Sequence, residues 1–261
     1  MPGESPTELY LELIKRCIIG LIYEDTPLVS FGSPDAAGID LEPEAFDRAL
    51  REAGLDWPGQ AHSMIGLKRM ENIQHCVEQA LADGVPGDLI ETGAWRGGAS
   101  IFMRAVLKAH DVRDRTVWVA DSFEGVPAAN VEAYPADSDM ALLKHWNTIL
   151  GVSADDVRRN FERYGLLDEQ VRFLEGWFKD TLPGAPIDKL AVMRLDGDMY
   201  ESTMQALESL YDRLSPGGFV IVDDYYLPAC AKAIHDFRDA RGIADEIMNI
   251  DNRGAFWRRS V

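Results

Sequence analysis

The chain has 261 residues, 46% of them apolar and 27% charged, with a formal net charge of −18 at pH 7. This is the makeup of a globular enzyme built as one α/β domain with elaborations, or as two small domains at most. The acidity argues against a nucleic-acid partner, whose phosphates a binding protein has to neutralise. No apolar run approaches the roughly 18 residues of a membrane span, and no basic-then-apolar leader opens the chain. A cytoplasmic protein with no membrane partner is therefore expected.

The first 80 residues have helical texture. In "SPTELYLELIKRCIIGLIYE", Ser5 is a candidate N-cap and Glu8 stands three positions on, as in a capping box. "VSFGSPDAAGIDLEPEA" is rich in Gly, Pro and Asp and reads as a loop, so residues 27–44 are expected to be mobile and are a candidate lid. Helical periodicity resumes in "EAFDRALREAG" and again in "LKRMENIQHCVEQALADG", which ends on Gly84. The three cysteines, Cys17, Cys76 and Cys230, are isolated in apolar surroundings and read as buried free thiols.

From residue 81 onward the pattern changes to short apolar runs alternating with helical segments. The expected strands are "GDLIETG", "TVWVADSF", "VRFLEGW", "LAVMRLDGD", "GGFVIVDDY" and "GAFWRRS". Apolar strands separated by helices imply parallel pairing with both faces of the sheet covered. The expectation is a doubly wound α/β domain over residues 81–261 with an N-terminal helical cap over 1–80. Ligands of such sheets bind at the carboxyl ends of the strands. Those ends carry Glu91-Thr92-Gly93, Asp121-Ser122, Glu175-Gly176, Asp196-Gly197-Asp198 and Asp223-Asp224, so polar and acidic residues gather at one edge.

"IETGAWRGGAS" enters a helix where a phosphate-binding turn would lie, yet it is neither G-x-G-x-x-G nor a P-loop. Glu91 at its mouth would repel a pyrophosphate and attract a cationic amino-acid group. Asp121, 30 residues later, ends the second strand, where an acid accepts the hydroxyls of an adenosine ribose. An amino group, a ribose and no phosphate describe S-adenosylmethionine. The plainer alternatives are a tight strand-to-helix turn at Gly93 and helix capping by Asp121.

Asp196 and Asp198, two apart on an extended strand end, point to the same side. Asp223 and Asp224 end the next strand in sequence, a candidate neighbour in space. Oxygen donors without a His or Cys cluster suit a hard cation, most simply Mg²⁺, which would relieve the repulsion and lower the pKa of an alcohol beside it. Asp196, Asp223 and Asp224 are the favoured ligands and Asp198 the general base; Asp198 as a ligand stays open, as does helix capping by Asp198 or Asp224. Rival readings are an NAD-dependent oxidoreductase, a metal-dependent phosphoesterase and a non-catalytic methyl-donor sensor.

The strings "MIGLKRMENIQHCVE", "GDLIETGAWRGGASIF", "RTVWVADSFEGVP", "RYGLLDEQVRFLEGWFKDTLP", "LAVMRLDGDMYEST" and "LSPGGFVIVDDYYLPAC" resemble the macrocin O-methyltransferase (TylF-like) family of antibiotic biosynthesis. The resemblance covers the chain from about residue 5 to its end. It implies a Rossmann-like class I methyltransferase sheet and Mg²⁺-dependent transfer of methyl from S-adenosylmethionine. The implied acceptor is a deoxysugar hydroxyl on a glycosylated natural product, of macrolide or aminocoumarin noviose type, and the implied assembly is a homo-oligomer, dimer or tetramer. Carried over, Glu91, Thr92, Gly93, Asp121 and Ser122 hold the donor, Ser63 and Met64 join from the cap, and Phe178 lies near the adenine. Asp196, Asp223 and Asp224 bind the metal, and Asp198 takes the proton.

Overall fold

The fold is that of a computed structural model, which describes residues 5–30 and 45–260. Helix α1 (Pro6–Ile18) opens on the expected capping box: the Ser5 hydroxyl accepts the Glu8 N–H, and the Glu8 carboxylate accepts the Ser5 N–H at 2.6 Å. Strand β1 (Pro27–Ser30), helix α2 (Arg48–Ala53) and strand β2 (Asp56–Pro58) follow, with β1 and β2 paired antiparallel. Residues 27–30 are thus strand and not loop, because Val29 is buried against the β2 pairing. The rest of the expected lid, residues 31–44, lies outside the described residues. Helix α3 (Gly66–Ala82) completes the N-terminal part.

The main sheet contains β3 (Asp88–Thr92), β4 (Val117–Asp121), β5 (Val171–Glu175), β6 (Leu190–Leu195), β7 (Leu214–Val222), β8 (Met248–Asn249) and β9 (Ala255–Arg258). Their order across it is β5-β4-β3-β6-β7-β9-β8, parallel from β5 to β7 and antiparallel at β9. Between them run α4 (Gly98–Ala109), α5 (Asn147–Leu150), α6 (Ala154–Arg163), α7 (Phe178–Thr181), α8 (Tyr200–Leu210) and α9 (Pro228–Arg241). Strand β8 was not anticipated, since two exposed residues carry no apolar pattern. Strand β7 starts at Leu214, three residues before the expected "GGFVIVDDY".

Side-chain alternation explains why the strands are apolar almost throughout. Leu89, Val119, Val192 and Ile221 face a core shared with Leu11, Ile73, Phe102 and Phe161 of α1, α3, α4 and α6. Ile90, Ala120, Met193 and Val222 face a second core with Leu207 of α8 and Ile234 of α9. Cys76 and Cys230 are buried free thiols and Cys17 is half-buried. No helix among the described residues is long and apolar enough to cross a membrane.

The segment after β4 carries two 3-10 turns, Pro135–Met140 and Leu143–Trp146. From the first, fully buried Asp137 accepts the N–H groups of Tyr200 (2.6 Å) and Glu201 (3.1 Å). It caps α8 across 63 residues of sequence, a role neither Asp198 nor Asp224 takes. Asp137→Ala should cost about 1–2 kcal/mol of stability. Urea denaturation at unchanged m-value checks this, and a loss below the error of the fit would remove the capping role.

Candidate active site

The sheet changes winding direction at β3, with β4 on one side and β6 on the other, and the crevice above that point is where doubly wound folds bind ligands. A cavity of about 700 Å³ opens there. Ser63 and Met64 reach it from the segment before α3, and Glu91 and Gly93 from the end of β3. Asp121 and Ser122 reach it from β4, and Phe178 from the start of α7. Asp196 and Asp198 follow β6, and Asp223 and Asp224 follow β7. Thr92 alone of the expected residues does not line the cavity: it is 1% exposed, with its hydroxyl 3.4 Å from the Arg194 carbonyl oxygen.

Gly93 has a steric reason to be glycine. Its φ is +91°, and a Cβ there would sit 1.7 Å from the Asp196 carbonyl oxygen. The Asp121 carboxylate accepts the N–H groups of Ala94 (2.6 Å), Trp95 (3.3 Å) and Phe123 (2.7 Å), so it ties the turns after β3 and β4 together. Trp95 and Phe123 take positive φ to allow this, a strain that such turns store at ligand sites. Burial pushes the Asp121 carboxyl above its usual range despite those N–H groups. The Gly98 N–H donates to the His62 carbonyl at 2.9 Å, which draws the Ser63 segment against the same turn. The His62 ring, 2.8 Å from the Tyr164 hydroxyl, is held neutral by burial, with its pKa lowered to about 4.

The acids are brought together around two arginines. Arg194, 1% exposed, donates from Nη1 to Glu91 (2.5 Å) and Asp196 (2.7 Å), and from Nη2 to Asp223 (2.5 Å). Arg69 of α3 donates to the other oxygen of Asp223 and to Asp251 at 3.0 Å. Neither arginine is among the residues expected from the sequence. Arg69 is 154 residues from its partner, and Arg194 hides in "LAVMRL", although a charge inside a fully buried strand signals a buried pair.

Asp198 and Asp224 have no such partner among the described residues. Asp198 leaves the strand through a turn with φ +57°, so it reaches Asp196 and Asp224 by a bend and not by strand alternation. Its N–H donates to Asp224 Oδ2 at 3.1 Å. One oxygen from each of Asp196, Asp223 and Asp224 falls within a group spanning 4.8 Å. Burial and like charge push Asp198 up to about 7 and Asp224 well above the carboxylate range, and burial also raises Asp196. For Asp223 burial is outweighed by Arg194 and Arg69, which hold it low. Burial likewise lifts Glu91 to about 7 against Arg194 and the Ser100 hydroxyl.

The macrocin-O-methyltransferase (TylF) family model matches residues 7–259. The chain belongs to this family. Among curated relatives, the tetracenomycin-C rhamnosyl 4'-O-methyltransferase of Streptomyces olivaceus is 58% identical over 99% of this chain and 95% of its own. The mycinamicin III 3''-O-methyltransferase of Micromonospora griseorubida is 55% identical over the whole of both chains. The demethyldecarbamoylnovobiocin O-methyltransferase of Streptomyces niveus is 52% identical over 98% of this chain and 95% of its own. The solved O-methyltransferase NovP superposes with a TM-score of 0.89 at 52% identity, over 98% of this chain and all of that one. Calicheamicin methyltransferase CalS11, at TM-score 0.60 and 18% identity over 98% of this chain and 94% of its own, shares the fold. This TylF-family protein is therefore an O-methyltransferase with the class I methyltransferase fold, and the NAD-dependent oxidoreductase reading falls.

For this TylF-family enzyme, Glu91 gives a stability prediction in the presence of a chelator. Its folded pKa, about 7, lies above the ordinary 4.5, so the folded state keeps a proton that the unfolded chain has released. Stability should fall as pH rises from about 4.5 to 7: the upward shifts of Asp196, Asp198 and Asp224 act in the same direction as Glu91 and outnumber the lowered His62, which acts against them. Thermal melting across that range checks it; a melting temperature that climbs with pH would mean the acids are ionised in the cation-free fold.

Proposed function

We propose that the protein moves a methyl group from S-adenosylmethionine to a deoxysugar hydroxyl on a glycosylated antibiotic, of macrolide or aminocoumarin type, with a divalent cation, Mg²⁺, beside the acceptor. One observation carries the reading: the oxygens of Asp196, Asp223 and Asp224 converge within 4.8 Å in the cavity that the donor-side turns and Asp198 also line. The residues fit the ion. All donors are oxygens, and neither Asp224 nor Asp198 has a cationic side-chain partner among the described residues. Their raised pKa values express the missing positive charge.

A divalent cation at those three acids supplies charge that makes a nearby alcohol more acidic. Asp198, which lines the same cavity and has no cationic side-chain partner among the described residues, is placed to take the acceptor proton on its carboxylate. The acceptor oxygen then forms a bond to the methyl carbon as the carbon–sulfur bond breaks, leaving S-adenosylhomocysteine. Glu91 and Gly93 on the first turn, Asp121 and Ser122 on the second, and Ser63, Met64 and Phe178 hold the donor, with Thr92 supporting the first turn from beneath. Thr92 acts from below the cavity surface, through the Arg194 carbonyl. Holding both reactants in line accounts for much of the acceleration.

The substrate class follows the named activities of the tetracenomycin, mycinamicin and novobiocin relatives. On the family pattern we extend the proposal to a cytoplasmic homo-oligomer whose residues 1–80 cap the methyl-transfer domain of 81–261. Leu9 and Leu13, one turn apart on α1 and each 53% exposed, offer an apolar strip for assembly.

Mass spectrometry of macrolide and aminocoumarin glycosides incubated with the donor tests the reading: one added methyl on a sugar supports it, and none on any glycoside counts against it. Asp198→Asn should lower kcat by about two orders of magnitude or more with S-adenosylhomocysteine binding nearly unchanged; wild-type turnover would remove Asp198 as base. EDTA should stop turnover and added Mg²⁺ restore it, whereas full activity in EDTA would sink the cation assignment.

A further inference from the structure

The carboxylates assigned above as cation ligands are tethered by the protein itself. Arg194 Nη2 donates to Asp223 Oδ1 at 2.5 Å and Arg69 Nη1 donates to Oδ2, so both oxygens of Asp223 are engaged. Arg194 Nη1 holds Asp196 Oδ2 at 2.7 Å, and the Asp198 N–H holds Asp224 Oδ2 at 3.1 Å. A tethered oxygen keeps a lone pair and can still ligate once. Turning both oxygens of one carboxylate onto the same ion requires rotating it out of these bonds, and guanidinium–carboxylate bonds resist that most strongly.

We infer that Arg69 and Arg194 are positioning residues that impose one-oxygen ligation on Asp223 and Asp196, and that they thereby set a preference for a small six-coordinate divalent ion over Ca²⁺. The inference rests on the ligand assignment made under Proposed function. Mg²⁺ takes about six oxygens at short, nearly fixed distances, whereas Ca²⁺ takes up to about eight and commonly draws both oxygens of a carboxylate. Three single oxygens leave a six-coordinate ion about half its positions for water and acceptor, and leave Ca²⁺ short of ligands. Arg69 is the better residue to change. It grips Asp223 from α3, outside the strand ladder, while Arg194 also holds Glu91.

The test titrates the full-length protein with MgCl₂ or CaCl₂ alone by calorimetry, wild type beside Arg69→Gln and Arg69→Lys. The two ions carry equal charge, so a purely electrostatic or purely structural role for Arg69 moves both affinities together and leaves their ratio alone. The Mg²⁺ to Ca²⁺ affinity ratio should fall roughly tenfold in Arg69→Gln, the size typical of losing a group that orients a ligand. It should fall less in Arg69→Lys, whose single ammonium replaces a guanidinium that spans Asp223 and Asp251. An unchanged ratio in a variant that keeps wild-type melting and S-adenosylhomocysteine binding overturns the inference and leaves the ligand assignment standing. Wild-type protein that binds neither ion overturns the assignment and the inference with it. Should Arg69→Gln fail to fold, Arg69→Lys carries the same reading.

Discussion

A buried guanidinium holds the carboxyl-end edge of this sheet together. Glu91 and Arg194 face each other in the parallel register of β3 and β6, and Asp223 follows the end of the adjoining β7. Strand alternation puts Leu89 and Glu91, Val192 and Arg194, and Ile221 and Asp223 on the same face. The ion pairs therefore form a polar layer directly above one apolar core. Buried charges of one sign cannot share such a layer, and breaking a buried pair by deleting one partner costs about 3–5 kcal/mol. Arg194 and Arg69 make it possible for strand-end acids to converge at all.

The same geometry sorts the acids into two kinds. Asp223 and Asp224 are consecutive residues of the turn that follows β7, and they meet different partners there. Asp223 bonds to both arginines and stays ionised, whereas Asp224 accepts the Asp198 N–H and has no arginine partner among the described residues. Asp198 reaches this unpaired side through a backbone conformation that is costly for a residue other than glycine. Strain and uncompensated charge coincide at the place where a ligand can answer both. A cluster fully neutralised by arginine would be a structural ion-pair network with nothing left to offer a cation.

Element types were legible because they rest on local pattern. The apolar runs of β3 to β7, the Ser5–Glu8 capping box and the helical spacing of α3, α4 and α9 are each written within about twenty residues. Strand β8 was not, since its two residues are exposed and carry no apolar pattern, and neither was β1, whose pairing with β2 spans about thirty residues. In the site, the acids were legible because each ends a recognisable strand. Their partners were not. Arg69 reaches Asp223 from α3 across 154 residues, and Asp137 anchors α8 from a 3-10 turn 63 residues away, so only packing brings them there; Ser100 is nine residues from Glu91, but its contact depends on how α4 packs on the sheet. The convergence of Asp196 and Asp198 was expected from strand alternation and arises instead from a left-handed turn.

Asp137 links the wall of the cavity to its chemistry. Its carboxylate fixes the first two N–H groups of α8, and α8 begins two residues after Asp198, so the bend that aims Asp198 is anchored from the segment after β4. That segment in turn lines the cavity with Val126, Met140, Leu143 and Trp146. It is tied down by the Asn147 side chain on the Val126 backbone, by the Trp95 indole N–H on the Ile149 carbonyl at 2.9 Å, and by edge-on contact of Trp146 with Trp57. Trp95 belongs to the turn after β3, so donor-side turn, cavity wall and the bend at Asp198 form one connected unit. Anchoring the wall and the bend through the same buried carboxylate couples their positions, so the cavity wall and the turn that carries Asp198 are held as one framework.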